Sequence, residues 1–331
     1  GRGQTSMGHT LAVGSSYCHQ KCCCRQEEGG PVCTHTLIMD EGKHLIESER
    51  SIKDSREAEE HHLPAAVVSE AQWLSYFEQE ILELRELPTP SLGSNMERRS
   101  AFQFKSGAVY TGQWKGTARH GFGVQRWPDG AVYKGEWRHN CAEGKGRFIH
   151  AHGDMYIGEW RNNEANGNGT YYHEDGRVYR GGWRNDLHDG CGVEIWGEGT
   201  RYEGNFRKGQ KEGYGIYIWP DKSLYCGSWK VDTINGCGSY RGSDGRTFRG
   251  TWKDSVVHGM GSYRWPDGRE YLGQYIFDRK DGFGVFSWTD GRNYKGFWLQ
   301  GREHGAALWT DQDGISRNSV WYNGTLESLN E

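Results

Sequence analysis

Residues 110–137 read YTGQWKGTARHGFGVQRWPDGAVYKGEW, and this stretch decides the fold. Tyr110, Gly112 and Trp114 alternate at period two, as do Gly121 and Gly123, which is the signature of β-strands whose successive side chains point to opposite faces. Trp127-Pro128-Asp129-Gly130 then spells a turn, because proline presets the first turn position and glycine takes the φ > 0 position that closes it. The pattern restarts 23 residues on at Tyr133, Gly135 and Trp137, and again at Tyr156, Gly158 and Trp160. The tyrosine slots run 110, 133, 156, 179, 202, 225, 248, 271 and 294 without an insertion. Gly-x-Gly keeps the same register from Gly121 to Gly282, and Gly305 is followed by Ala307 in the ninth unit.

A fixed period of this length defines a repeat architecture, here with one β-hairpin per unit. The Tyr, Trp and Gly-x-Gly slots are expected on one face, where glycine leaves room for a neighbouring ring to lie on the backbone. The expected fold is an all-β repeat: an elongated, twisted, single-layer antiparallel sheet of about nine 23-residue hairpins. Composition agrees. Fifty glycines and fifteen tryptophans beside 34% hydrophobic residues give too little aliphatic bulk for a thick globule and too many rings for a disordered chain.

Tyr-x-Gly-x-Trp followed by Gly-x-Gly at this period resembles the MORN (membrane occupation and recognition nexus) repeat family, over residues ~100–322. The resemblance implies a scaffold, since relatives include proteins of membrane junctions, ciliary radial spokes and parasite cytoskeletons, and the front halves of plant phosphoinositide kinases. Departures from the pattern are Phe206 and Tyr275 for Trp, Phe248 for Tyr, Lys222 for the turn glycine and Ala307 for glycine, each expected to soften one unit only. Arg317 and Ser319 stand in the Tyr and Gly slots before Trp321, so a degenerate half unit is expected there. Phe102 and Phe104 suggest a capping strand at the other end. The organisation expected is a disordered tail over 1–68, an amphipathic helix over 69–87, a linker over 88–100, the array over 101–322 and a C-terminal tail over 323–331.

A cation follows the Trp slot in seven consecutive units: Lys115, Arg138, Arg161, Arg184, Arg207, Lys230 and Lys253. One residue past the ring, these side chains point away from the aromatic face and form a candidate ladder for an anionic lipid surface or an acidic protein. Glu136 and Glu159 lie two residues earlier, so a solvated, partly neutralised face is the alternative. Net charge is −4, and residues 1–100 carry 10 of the 40 basic and 16 of the 44 acidic side chains, which excludes the strong positive excess of a nucleic-acid binder. The rings themselves are read as core and not as a base-stacking surface.

Five of nine cysteines crowd the tail, and no pairing pattern is evident, which suits free thiols in a reducing compartment. Cys18, Cys22, Cys23 and Cys24 beside Lys21 and Arg25 could accept palmitate, and Gly8 could take myristate if translation began at Met7, although Ala12 stands where that motif wants Ser or Thr. A metal site from Cys18, Cys22, Cys24, Cys33, His19 and His35 lacks two separated Cys-x-x-Cys knuckles, and an unmodified tail remains open. Ser69 and Gln72 form a capping-box pattern, and Trp73, Phe77, Ile81 and Leu84 make one apolar helical stripe. So short a helix is marginal alone and should dock on an end or groove of the array, or else serve a partner.

Phosphate-loop, His-Glu-x-x-His and Gly-x-Ser-x-Gly motifs do not occur. His120, His258 and His304 occupy a slot that elsewhere holds Glu143, Asn166, Asp189 and Glu212, so they read as polar turn residues. No enzyme, cofactor or metal is expected. The reading is a cytoplasmic scaffold or tether that positions protein partners at the cytoskeleton or cilium. Its alternatives are a peripheral tether on anionic phospholipid through the basic ladder, and a regulatory fragment of a MORN-containing phosphoinositide kinase. Homodimerisation through an edge strand is a further expectation.

Overall fold

The computed structural model describes residues 76–87 and 95–330. Every described residue belongs to one compact unit. Gly8, the clustered tail cysteines, Ser69, Gln72 and Trp73 lie outside the described residues.

A helical turn at 76–78 and helix α1 (Ile81–Glu86) precede a single antiparallel sheet of 22 strands. From β3 (Val109–Lys115) to β22 (Thr325–Asn330) each strand pairs with the next along the chain. On the other side of β3, β1 (Glu97–Arg98) and β2 (Phe102–Gln103) form the interrupted capping strand, in register at Glu97↔Trp114 and Phe102↔Tyr110. No helix among the described residues is long and apolar enough to cross a membrane.

The second hairpin, β5 (Val132–Arg138) with β6 (Cys141–Ile149), shows how the sequence folds locally. Its strands are joined by His139 and Asn140, at φ 50 and 73, the two-residue turn that matches the twist of paired strands. Positive φ favours Asn, Asp and Gly, and these recur in the second turn position of most units. The same residue ties units together: Asn140 Oδ1 accepts from the backbone N–H of Arg119 at 2.7 Å, as Asn163 does from Ala142 and Asp278 from Val257.

The register jumps between Gly135↔Gly146 and Trp137↔Ala142, a β-bulge in which Gly144 sits at φ +84. This corrects the expectation that both glycines of Gly-x-Gly hold rings. The first makes the bulge; the second lies under the tyrosine. A Cβ on Gly135 or Gly146 would fall 2.5 Å from the Tyr133 hydroxyl, so the ring rests across the glycine pair of its own hairpin. Its O–H donates to the carbonyl of Glu136 at 2.9 Å, the residue the bulge leaves without a partner on β6. Tyr110, Tyr156, Tyr179, Tyr202, Tyr225, Tyr271 and Tyr294 make the same bond; Phe248 has no hydroxyl to make it.

Held there, each tyrosine meets the Trp of its own unit and that of the next edge to face: Tyr133 lies 5.0 Å from Trp137 and 5.3 Å from Trp160, near-perpendicular to both. The zigzag runs unbroken from Trp114 to Trp321. At the far end β21 (Ser316–Tyr322) and β22 close a tenth hairpin where a half unit and tail were expected. Asn323 and Gly324 supply the positive-φ turn. Among the described residues, Cys141 and Cys237 are free thiols, while the Cys226 sulfur lies 2.5 Å from the Tyr214 hydroxyl and the Cys191 sulfur 3.3 Å from Asn205 Oδ1.

Because the hydroxyl satisfies a carbonyl the ladder skips, Tyr133→Phe should cost about 1 kcal/mol and Phe248→Tyr should gain somewhat less. Urea unfolding midpoints of the two variants check this, with opposite shifts expected.

Candidate functional site

The sheet presents two faces of different chemistry. On the aromatic face, the first units are covered by residues 76–87. Phe77 is 0% exposed and inserts among Trp127, Tyr133, Trp137, Phe148 and Trp160, with ring centroids 5.4–5.9 Å away. The Trp127 indole donates to the carbonyl of Tyr76 at 2.9 Å, and the Tyr76 hydroxyl bonds to Asp129. Leu84, seven residues after Phe77, is buried as well, while Ile81 is half-buried. The expected docking of this segment on the array is therefore what the structure shows, but its buried face reads Phe77, Glu80, Leu84 rather than the purely apolar stripe.

Glu80 is the residue that hydrophobic periodicity passes over. It is 1% exposed and accepts from Ser106 Oγ at 3.1 Å and Gln125 Nε2 at 3.0 Å. Arg119, 0% exposed, places Nη1 4.0 Å from the Glu80 carboxylate, bonds Gln125, and donates to the carbonyl of Asn140 at 3.0 Å. Its guanidinium lies 4.3 Å from the Trp137 ring centroid. Burial drives the two groups toward neutrality: Arg119 falls to about 10 against the opposing pull of Glu80, and Glu80 is raised although Arg119 and its hydrogen bonds resist.

Farther along the same face, the equivalent rings are more exposed. Trp196, Trp219, Trp265 and Trp288 repeat the slot of Trp127 but are half-buried, whereas Trp127 is 4% exposed. Two lysines repeat the Arg119 slot. Lys211 lies 5.2 Å from the Trp196 centroid, and Lys280 lies 4.4 Å from Phe286 and from Trp298. Burial holds the Lys280 ammonium down to about 8. The expectation that Phe206 and Tyr275 merely soften their units is incomplete, because each pairs across its hairpin with one of these lysines, Phe206 with Lys211 and Tyr275 with Lys280. That coincidence of a reduced ring with a cation five residues later is visible in the sequence.

On the opposite face Lys115, Arg138, Arg161, Arg184, Arg207, Lys230 and Lys253 are all exposed, as expected from their phase. Among the described residues only Arg184 of the seven has an ion pair, with Asp189 at 3.1 Å. Glu136 accepts from the N–H of Lys145 after the bulge, at 3.1 Å, and lies against Gly144; Glu159 lies against Gly167. A shallow depression nearby is lined by Phe122, Lys134, Lys145, Arg147, Ile157 and Glu159, and Lys134 and Arg147 stand directly opposite each other across the ladder. Glu143, Asp189 and Glu212 accept from turn N–H groups one unit on, so this slot staples neighbours; the Nδ1 atoms of His120, His258 and His304 are buried there without a partner.

The MORN repeat family model matches residues 110–132, 133–155, 156–176, 179–201, 202–224, 225–245, 248–268, 271–291 and 294–316, and the chain belongs to that family. No curated protein matches by sequence. Among solved structures, the TCP10 domain of Danio rerio CPAP is similar at 12% identity and TM-score 0.36, over 63% of this chain and 99% of that one. The SAS-4 (dCPAP) TCP domain of Drosophila melanogaster, in complex with a proline-rich motif of Ana2 (dSTIL), is similar at 15% identity and TM-score 0.32, over 57% and 96%. Virginiamycin B lyase from Staphylococcus aureus follows at 12% identity and TM-score 0.14, over 73% and 86%. Scores of this size define no shared site or activity.

Phe77→Ala should remove about 3 kcal/mol of local packing and release the segment, read as new proteolysis at 76–87 with quenchable Trp127 emission while the distal array stays protected. Two histidines, His150 buried and His188 half-buried, set the response to acid. Burial holds His150 down to about 4 and His188, stacked 3.5 Å from Tyr179, down to about 3, whereas the unfolded chain takes those protons near 6.5. Their contribution is therefore present above pH ~6.5 and lost as pH falls below it, about 2 kcal/mol each by pH 5. His188→Ile, the type of residue that Ile234 places in the same slot, should flatten the decline in melting temperature between pH 7 and 5.

Proposed function

We propose that the chain is a non-catalytic scaffold that holds partner proteins on the aromatic face of its repeats, in the cytoplasm at the cytoskeleton or cilium. The observation that carries this reading is the segment already seated on that face: rings, an indole hydrogen bond and a buried carboxylate hold residues 76–87 over the first units. Distal units repeat the same ring slots half-buried. Carboxylates that the repeats bring together, Glu143, Asp189 and Glu212, bond to turn N–H groups of the next unit. The cytoskeletal setting is what family resemblance implies. The open edge of β22, exposed along its length, suits pairing with a second copy.

A second reading, a peripheral tether on anionic lipid, is favoured by the seven exposed cations and by the opposed Lys134–Arg147 pair, since like charges across a ladder repel until an anion neutralises them. Because the two surfaces lie on opposite faces, one experiment separates them. Full-length chain carrying Trp219→Ser and Trp288→Ser should leave the detergent-insoluble cytoskeletal fraction that retains the wild type, while changing Arg138, Arg161, Arg184 and Arg207 to Ser should not. If the wild type instead sediments with phosphoinositide vesicles in a salt-sensitive way, and only the arginine variant loses this, function moves to the outer face.

A further inference from the structure

The pocket that Phe77 and Glu80 fill recurs elsewhere in the chain. Around Phe77 stand Trp127, Tyr133, Trp137, Phe148 and Trp160, with Arg119 beside Glu80. Seven repeat lengths on, those positions are Trp288, Tyr294, Trp298, Trp309, Trp321 and Lys280. Every ring remains a ring and the cation remains a cation. Spacing is kept too: Trp127–Phe148 is 5.7 Å and Trp288–Trp309 is 5.5 Å, and Phe148–Trp160 is 6.2 Å and Trp309–Trp321 is 5.8 Å. Most other units break the set, with His150, His173 or Gly242 in the Trp127 slot or Ala142, Ala165, Ile234 or Val257 in the Arg119 slot.

Unit five keeps it, with Trp219, Tyr225, Trp229, Tyr240, Trp252 and Lys211. There, however, Asp232 already reaches to 4.0 Å from the lysine ammonium. The position matching Asp232 beside Lys280 is Gly301, and among the described residues no carboxylate lies within ion-pair distance of Lys280. The rings here are also open, since Trp288, Trp309 and Trp321 are half-buried.

We propose that this distal pocket docks a helix of a partner protein that carries an aromatic residue and, three residues later, a glutamate. The aromatic side chain enters between Trp288, Tyr294 and Trp321, and the carboxylate meets Lys280, as Phe77 and Glu80 do at the first site. Two independent features select this occupant. The half-buried Lys280 ammonium, on which Glu303 acts only from beyond ion-pair distance among the described residues, is open to a closer carboxylate, and the chain's own segment shows the geometry that supplies one, with Phe77 in the helical turn and Glu80 at the N-cap of α1 both directed onto the sheet. The proposal rests on the scaffold reading and names the chemistry of its partner.

The probe is a synthetic peptide of residues 69–87 carrying a photo-crosslinking phenylalanine analogue at position 77, added to the full chain with its own segment in place. Expected are cross-links in units eight to ten, affinity at least 10-fold weaker for Lys280→Gln, and recovery of binding when a Glu80→Lys peptide meets Lys280→Glu chain. Cross-links confined to the first three units, or affinity unchanged by Lys280→Gln, would overturn the proposal, as would the absence of binding at millimolar peptide. None of these results touches the scaffold reading, which is judged by cytoskeletal retention. Inter-chain cross-links formed without peptide by chain carrying the same analogue at position 77 would name a second copy as the occupant and overturn the partner assignment.

Discussion

A tyrosine ring lying on two glycines is the contact on which the rest of this structure depends. Strands in a one-layer sheet have nothing to cover their backbone, and the ring supplies that cover where the cross-strand pair beneath it is kept small, two glycines in most units and Gly296 with Ala307 under Tyr294. The bulge at the preceding glycine completes the arrangement by turning one carbonyl out of the ladder and toward the tyrosine hydroxyl. With tyrosine fixed in position and tilt, each tryptophan finds two ring edges at the distances where quadrupoles attract. The hydrophobic core is thus a line of rings one layer deep, and its outer side is itself a surface on which a helical segment can rest.

Most of the fold was legible in the sequence because the repeat is a period-two pattern copied without insertion, so strand positions, faces and turns all follow from one unit. What periodicity could not separate was the work of neighbouring glycines: Gly144 and Gly146 look alike in the sequence, yet one needs positive φ and the other needs space. The tenth hairpin was obscured for a related reason, since Ser319 keeps the ladder without a ring while Arg317 displaces the tyrosine that marks a unit. The site was less visible. Phe77 and Leu84 declare an apolar face, but Glu80 is charged, and only the position of Arg119 on the partner surface reveals that it belongs inside.

Charge is sorted between the faces by geometry rather than by quantity. The outer cations stand in water as a row, where screening makes each weak and only their number matters. Arg119, Lys211 and Lys280 stand among rings that lower the local dielectric, so one countercharge there counts for more than several outside. Long-range attraction therefore belongs to one side of the sheet and selective recognition to the other.

Strictly sequential strand pairing has a mechanical corollary. Tension applied between β3 and β22 runs across the strands, so it loads the hydrogen bonds of one terminal pair at a time instead of shearing many at once. Every hairpin that peels away releases 23 residues, on the order of 80 Å of extended chain, while the units behind it remain folded. Under load, the array would behave as a fuse that lengthens in equal steps and re-forms by local contacts when the force is removed.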